Sequence, residues 1–182
     1  MDGILDTGGR ITFTVNGEKQ AVTCTPSTRL SEVLRESLAL RATKVGCNAG
    51  DCGACTVLLD GDPVCACLVP AGQLEGRQVE TAESLVDTKD TLSALQASFL
   101  RHGAAQCGIC TPGMMMAATA LLRENSAPDR QAVEVALGGV LCRCTGYTKI
   151  IDAVMDAGRT VDDIIAPEAG AAIGAAVERL DG

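Results

Sequence analysis

Three of the chain's ten cysteines stand at C-x4-C-x2-C spacing in the run Gly46-Cys47-Asn-Ala-Gly-Asp-Cys52-Gly-Ala-Cys55, and a fourth thiol follows at Cys67. That spacing is the one by which plant-type ferredoxins hold a [2Fe–2S] cluster. Four thiolates must converge on two irons while the bridging sulfides stay shielded, so the backbone has to wrap closely about the group. Gly46, Gly50 and Gly53 suit that task, because without a Cβ they accept positive φ and let main-chain N–H groups approach sulfur. Such hydrogen bonds tune the reduction potential.

A second set follows in Cys107-Gly-Ile-Cys110 and Cys142-Arg-Cys144. Read alone, it suits a four-cysteine zinc site or a redox dithiol as well as an iron–sulfur centre. Beside a plant-type loop, a second [2Fe–2S] centre accounts for both sets with one function. Cys24 and Cys65 are left over. Cys24 reads as a small buried hydrophobe. Cys65 competes with Cys67 for the fourth place in the first set, since residues two apart on a strand share a face.

The elements around these thiols change character along the chain. Ile11, Phe13 and Val15 alternate, Asn16-Gly17 is a two-residue hairpin signal, and Gln20 to Thr25 reads as the return strand. Thr28 can cap a helix carrying Leu30, Val33, Leu34 and Leu38, with Glu32 in its first turn. After the thiol loop, Thr56 to Leu59 reads as a strand, Asp60-Gly61 as a turn, Val64 to Val69 as a partner strand carrying Cys67, and Gln78 to Thr81 as a further strand. From Asp90 the period becomes helical. Asp90 or Thr91 caps a helix with Leu92, Leu95, Phe99 and Leu100 facing inward, ending at His102-Gly103. Pro112 opens a second helix over Met114 to Arg123, whose methionines read as core. Asp129 starts a third through Leu137, and Thr148 to Asp156 forms a fourth. The second thiol set then lies at one end of a four-helix bundle.

These patterns divide the 182 residues into a loose segment 1–10, a β-rich [2Fe–2S] domain 11–84, a helical [2Fe–2S] domain 85–159 and a tail 160–182. In the tail Ile173, Ala176, Val177 and Leu180 are spaced for a short docking helix, with disorder as the competing reading because little apolar area offsets the entropy of ordering. Phe13, Phe99 and Tyr147 are the only aromatics, so aliphatic residues and metal ligation must supply the cores. A formal charge of −8 argues against nucleic acid. The first residues lack a basic region and an apolar signal core, which places the reduced thiols in the cytoplasm, and no apolar run approaches a membrane span. No nucleophile with its base, oxyanion hole, P-loop or dinucleotide fingerprint accompanies the thiols, so no catalytic residue is assigned and the chain does not turn over substrate alone.

Four runs together carry a family resemblance: Gly46-Cys47 through Cys55-Thr-Val, Cys67-Leu-Val-Pro, Gln106-Cys-Gly-Ile-Cys-Thr-Pro-Gly-Met114 and Cys142-Arg-Cys-Thr-Gly-Tyr147. They resemble the small iron–sulfur subunit of the molybdenum hydroxylases, the family of xanthine dehydrogenase, aldehyde oxidoreductase and carbon monoxide dehydrogenase. The likeness runs from about Ile11 to about Ala157, and Asn48 departs from it where an acidic residue is more usual. The resemblance implies an α+β fold, with an N-terminal β-grasp, plant-type ferredoxin-like domain followed by a four-helix bundle-like [2Fe–2S] domain. It favours Cys67 over Cys65 as ligand. It further implies an electron-transfer subunit of a complex, relaying electrons from molybdopterin, in its cytosine dinucleotide form, in a large partner subunit to FAD on a medium subunit or to another acceptor. Gln106 and Cys144 would then touch the partner's pterin. Apart from the resemblance, the position of Arg143 between two ligands suits a partner phosphate, the reduced cluster or an ordinary surface ion pair. A free-standing ferredoxin-type carrier and a zinc scaffold are the competing readings.

Overall fold

The computed structural model describes residues 8–88 and 91–163. Strand β1 (Gly9–Val15) buries Ile11, Phe13 and Val15 on alternate positions, as the period-2 pattern requires. Asn16 and Gly17 both take positive φ, 51° and 82°, the backbone of a type I′ turn. That turn fixes the register with β2 (Glu18–Cys24), Val15 opposite Glu18 and Ile11 opposite Val22. Strands β3 (Thr56–Leu59), β4 (Asp62–Cys65) and β5 (Gln78–Glu80) complete a mixed sheet in the order β2-β1-β5-β3-β4, with β1 and β5 parallel.

The helical segment that the sheet grips is α1 (Leu30–Glu32), continued by a π turn over Val33–Ser37. Leu30, Val33 and Leu34 are fully buried and hold the first core together with Phe13, Val57 and Leu74. Thr28 does not cap this segment. Its hydroxyl pairs with that of Thr25 at 2.8 Å, and the Leu30 N–H is satisfied instead by the Val69 carbonyl at 2.8 Å. A tertiary acceptor has taken over the work of a local cap.

A second correction concerns Cys67. The strand expected over Val64 to Val69 stops at Cys65, where the Ala66 N–H turns back to the Cys55 carbonyl at 3.2 Å and residues Ala66–Leu68 form a 3-10 turn. Cys65 and Cys67 therefore do not share a strand face.

The helical part begins with a short hairpin, β6 (Val86–Thr88) and β7 (Thr91–Leu92). Helix α2 (Ala94–His102) starts two residues later than expected at Thr91, on a capping box of Ser93 and Gln96, and ends on left-handed Gly103; Asp90 lies outside the described residues. Leu95 and Phe99 face inward, but Leu92 and Leu100 are 49% and 70% exposed. Leu92 belongs to β7 rather than to the helix, and Leu100 follows Phe99 by about 100° around the axis, off the buried face. Helix α3 (Thr111–Glu124) carries Pro112 in its first turn and buries Met114 and Met116. Helix α4 (Arg130–Leu137) is capped by Asp129, whose carboxylate accepts the Ala132 N–H at 2.8 Å. Helix α5 (Thr148–Asp163) runs seven residues beyond the expected Asp156. The tail set Ile173 to Leu180 lies outside the described residues.

Leu95, Phe99, Met114, Val133, Leu137, Ile150 and Val154 form the second core. A third apolar contact joins the two parts. Leu58, on the outer face of β3, packs against Met116 and Ala120 of α3, which is why β3 is buried at every position. Beside it Arg123 forks onto Glu80 with two bonds of 2.7 Å.

Candidate metal centres

The loop between α1 and β3 is folded around its own sulfurs. Cys47 Sγ accepts the N–H groups of Ala49 at 3.3 Å and Cys52 at 3.4 Å, and Cys52 Sγ accepts the Cys47 N–H at 3.4 Å. The N–H groups of Ala49 and Cys52 bring the Cys47 thiol down to about 6, a poised thiolate. Cys55 and Cys67 lie beneath, each 2% exposed. Burial pushes the Cys55 thiol up to about 12, although the Cys67 N–H points at its sulfur. Metal ligation there must displace a proton.

The second set is assembled from two segments that helices bring together. Cys107 and Cys110 precede α3, with Cys110 as its N-cap residue, and Cys142 and Cys144 precede α5. Cys144 Sγ donates to Cys107 Sγ at 3.5 Å, while buried Cys110 pairs with Cys142. The Ile109 N–H draws Cys107 below the ordinary thiol range, and Cys144, donating to Cys107, is held above it. Burial raises Cys110 to about 12. Burial also works against ionising Cys142, but the hydroxyl and N–H of Thr145 outweigh it and bring the thiol down to about 7. Tyr147, at φ 68°, turns its hydroxyl back to accept the Cys142 N–H at 2.8 Å and so clamps this segment.

The eight thiols thus associate two by two: Cys47 with Cys52, Cys55 with Cys67, Cys107 with Cys144 and Cys110 with Cys142. Two irons bridged by sulfide ask for this arrangement, each taking two thiolates, whereas zinc gathers four donors about one point. Among the described residues no three His, Cys, Asp or Glu side chains close about a single point. The donor chemistry and its pairing fit a [2Fe–2S] cluster in each set.

The two loops also touch each other, a contact that sequence reasoning missed. The Leu141 N–H donates to the Cys52 carbonyl at 2.9 Å. Gly53, at φ 65°, lies so close to the backbone of Gly139 and Val140 that a Cβ would overlap both. From α3, Gly113 presses on the Gly53 carbonyl, where a Cβ would stand at 2.6 Å. The only signal in the sequence is the glycine content of the three segments, which does not say which backbones meet.

Around the second set Gln106, Cys107, Arg143 and Cys144 are all exposed, beside the apolar Ile109 and Leu141, 52% and 57% exposed. Around the first, Cys47 and Asn48 are exposed beside Val45 and Leu68. His102 takes no part in either set, since it and Arg101 bond Asp156 at 3.2 and 2.8 Å and tie α2 to α5. Cys24 is half-buried against the first core, and Cys65 stands half-buried beside the first set.

Comparison with known proteins finds one family model over each set of thiols. Residues 13–86 match a 2Fe-2S iron-sulfur cluster binding domain and residues 81–155 a [2Fe-2S] binding domain. The chain is 47% identical over 145 residues to the nicotinate dehydrogenase small FeS subunit of Eubacterium barkeri, covering 79% of this chain and 91% of that one. It is 48% identical over 143 residues to the nicotine 6-hydroxylase small subunit of Paenarthrobacter nicotinovorans, covering 79% and 86%. The crystal structure of quinoline 2-oxidoreductase from Pseudomonas putida 86 contains a chain that superimposes with a TM-score of 0.82 at 44% identity, over 86% of this chain and 98% of that one. Among the described residues no helix is long and apolar enough to cross a membrane.

Proposed function

The chain belongs to the iron–sulfur subunits of the molybdenum hydroxylases, and on that premise we propose that it carries electrons singly from molybdopterin in a large partner subunit to FAD on a medium subunit or to another acceptor. It is an electron-transfer component with two [2Fe–2S] centres, working within a multi-subunit oxidoreductase. Cys47, Cys52, Cys55 and Cys67 hold the first centre; Cys107, Cys110, Cys142 and Cys144 hold the second. We take the domains as 11–84 and 85–159 and the compartment as the cytoplasm, where thiols needed as ligands stay reduced.

When bound, the clusters supply one-electron oxidation and reduction. What the residues of this chain supply is position, insulation and a route. The observation that carries the reading is the Leu141 N–H bond to the Cys52 carbonyl at 2.9 Å. Leu141 precedes Cys142 in the chain, so one hydrogen bond links a ligand of each set through a short run of covalent bonds. Gly53, Gly113 and Val140 close that junction, and Gly53 and Val140 are buried. Gln106 and Cys144 of the second set are exposed, and we assign them the contact with the partner's pterin. The substrate pocket belongs to the large subunit, and the role of this chain is the same for an N-heterocycle, a purine or an aldehyde.

Anaerobic purification from the native host tests the assignment. Comigrating molybdenum and flavin with roughly four irons per chain is the expected result. An iron-containing chain that purifies alone would make it a diffusible carrier, and zinc without visible colour would make it a scaffold.

A further inference from the structure

Three hydrogen bonds close a small ring beside the second set. The Cys142 N–H donates to the Tyr147 hydroxyl at 2.8 Å, and the Tyr147 N–H donates to Thr145 Oγ1 at 3.1 Å. Thr145 Oγ1 in turn lies 3.1 Å from Cys142 Sγ. Tyr147 completes the ring at φ 68°, a left-handed backbone that is rare for a bulky side chain. Strain of this kind persists only where the surroundings hold it, and it gathers at functional sites.

The ring leaves the Thr145 hydroxyl one task. Its oxygen accepts the Tyr147 N–H, and its single hydrogen is left for the sulfur on its other side. A sulfur bonded to iron has no hydrogen to give, so with the centre in place the contact runs from hydroxyl to sulfur. The first set has no counterpart. The Cys47 and Cys52 sulfurs take backbone N–H groups, and the nearby Thr56 hydroxyl donates to the Gly53 carbonyl at 2.7 Å. Among the described residues Thr145 is the one side-chain hydroxyl bonded to a sulfur of either set.

We propose that Thr145 is a positioning residue of the second centre, donating its hydroxyl hydrogen to the ligand sulfur of Cys142 and thereby raising that centre's reduction potential. This deepens the electron relay proposed above and rests on the assignment of Cys107, Cys110, Cys142 and Cys144 as the ligands. Reduction adds one electron, supplied in the complex by the partner's molybdopterin site, and turns one ferric iron ferrous; the hydroxyl keeps its hydrogen and no bond breaks. The added negative charge strengthens a hydrogen bond into sulfur, so the donor stabilises the reduced state more than the oxidised one. The second centre becomes a better acceptor for electrons entering from the partner.

The test is a titration of the intact complex with dithionite and redox mediators, following the paramagnetic signals of both reduced centres. Thr145→Val keeps nearly the same side-chain shape without the hydroxyl; it shifts the potential of the second centre negative and leaves the first unmoved, with full iron content. Thr145→Ser, which retains the donor, returns the potential toward the wild-type value. Where valine does not hold its iron, Thr145→Ala, smaller than the native side chain, carries the same expectation. An iron-complete Thr145→Val or Thr145→Ala complex with an unmoved second potential overturns the proposal, as does a Thr145→Ser complex whose second potential lies as low as theirs. A Cys142→Ala complex that retains both paramagnetic centres overturns the ligand assignment instead, a failure told apart because it shows in the presence of the signals rather than in their potentials.

Discussion

Replacing Gly113 by alanine sets two effects of known size against each other. Gly113 lies in the first turn of α3, and its φ is not in the left-handed region, so alanine fits the backbone there. In a free helix the change stabilises by about 1 kcal/mol. Here the new Cβ would stand 2.6 Å from the Gly53 carbonyl oxygen and 3.3 Å from Val140 Cγ1. That oxygen cannot swing aside, because it already accepts the Thr56 N–H at 3.0 Å and the Thr56 hydroxyl at 2.7 Å. Overpacking of this kind costs about 1–3 kcal/mol. The contact therefore cancels or exceeds the helix gain, and strain is relieved by parting the two thiol loops, which lengthens the Leu141 to Cys52 bond. Denaturant unfolding should place the variant at or below the wild type, and the magnetic interaction between the two reduced centres should weaken with iron content intact. Gly139→Ala is the control, since its Cβ would meet nothing within 4 Å. A Gly113→Ala protein about 1 kcal/mol more stable, with unaltered coupling between the centres, would refute the junction.

Three further outcomes are expected. Gln106→Ala should slow reduction of the second centre by substrate in the complex without changing iron content, as read by stopped-flow bleaching; unchanged kinetics count against the pterin contact. The Arg101 guanidinium holds the Asp156 carboxyl below the usual carboxylate range, with partial burial opposing it and His102 and Ser98 assisting. A carboxyl depressed in the folded state stabilises above its unfolded pKa, about 3.9, and loses that contribution as pH falls through the folded value. Asp156→Asn should thus lower stability near neutrality by less than about 1 kcal/mol, because the side chain is 40% exposed. The deficit relative to wild type should vanish in acid below the carboxylate range, which urea midpoints across pH would follow. Arg123→Ala removes both 2.7 Å bonds to Glu80 that join α3 to β5; a loss of up to about 1 kcal/mol that shrinks at high salt is expected from thermal melts.

What the amino-acid order determined by itself is whatever is written within a few residues. The C-x4-C-x2-C run, the Asn16-Gly17 and Asp60-Gly61 turns and the Asp129 cap are local chemistry, in which side chain and backbone a few positions apart settle the conformation. The α+β class and both thiol sets were legible for that reason. Tertiary structure decided the rest. Leu30 takes its acceptor from Val69 rather than from Thr28, and Ala66 ends β4 by reaching back to Cys55, so the question of Cys65 or Cys67 was misposed as one of strand faces. Of the neighbours Phe99 and Leu100, packing against the second core took Phe99 and left Leu100 exposed. The meeting of Leu141 with Cys52 joins backbone groups far apart in the chain. Backbone N–H and C=O are the same at every residue, so no side-chain pattern encodes which of them will meet; packing of the two cores chose that pair, and with it the path between the centres.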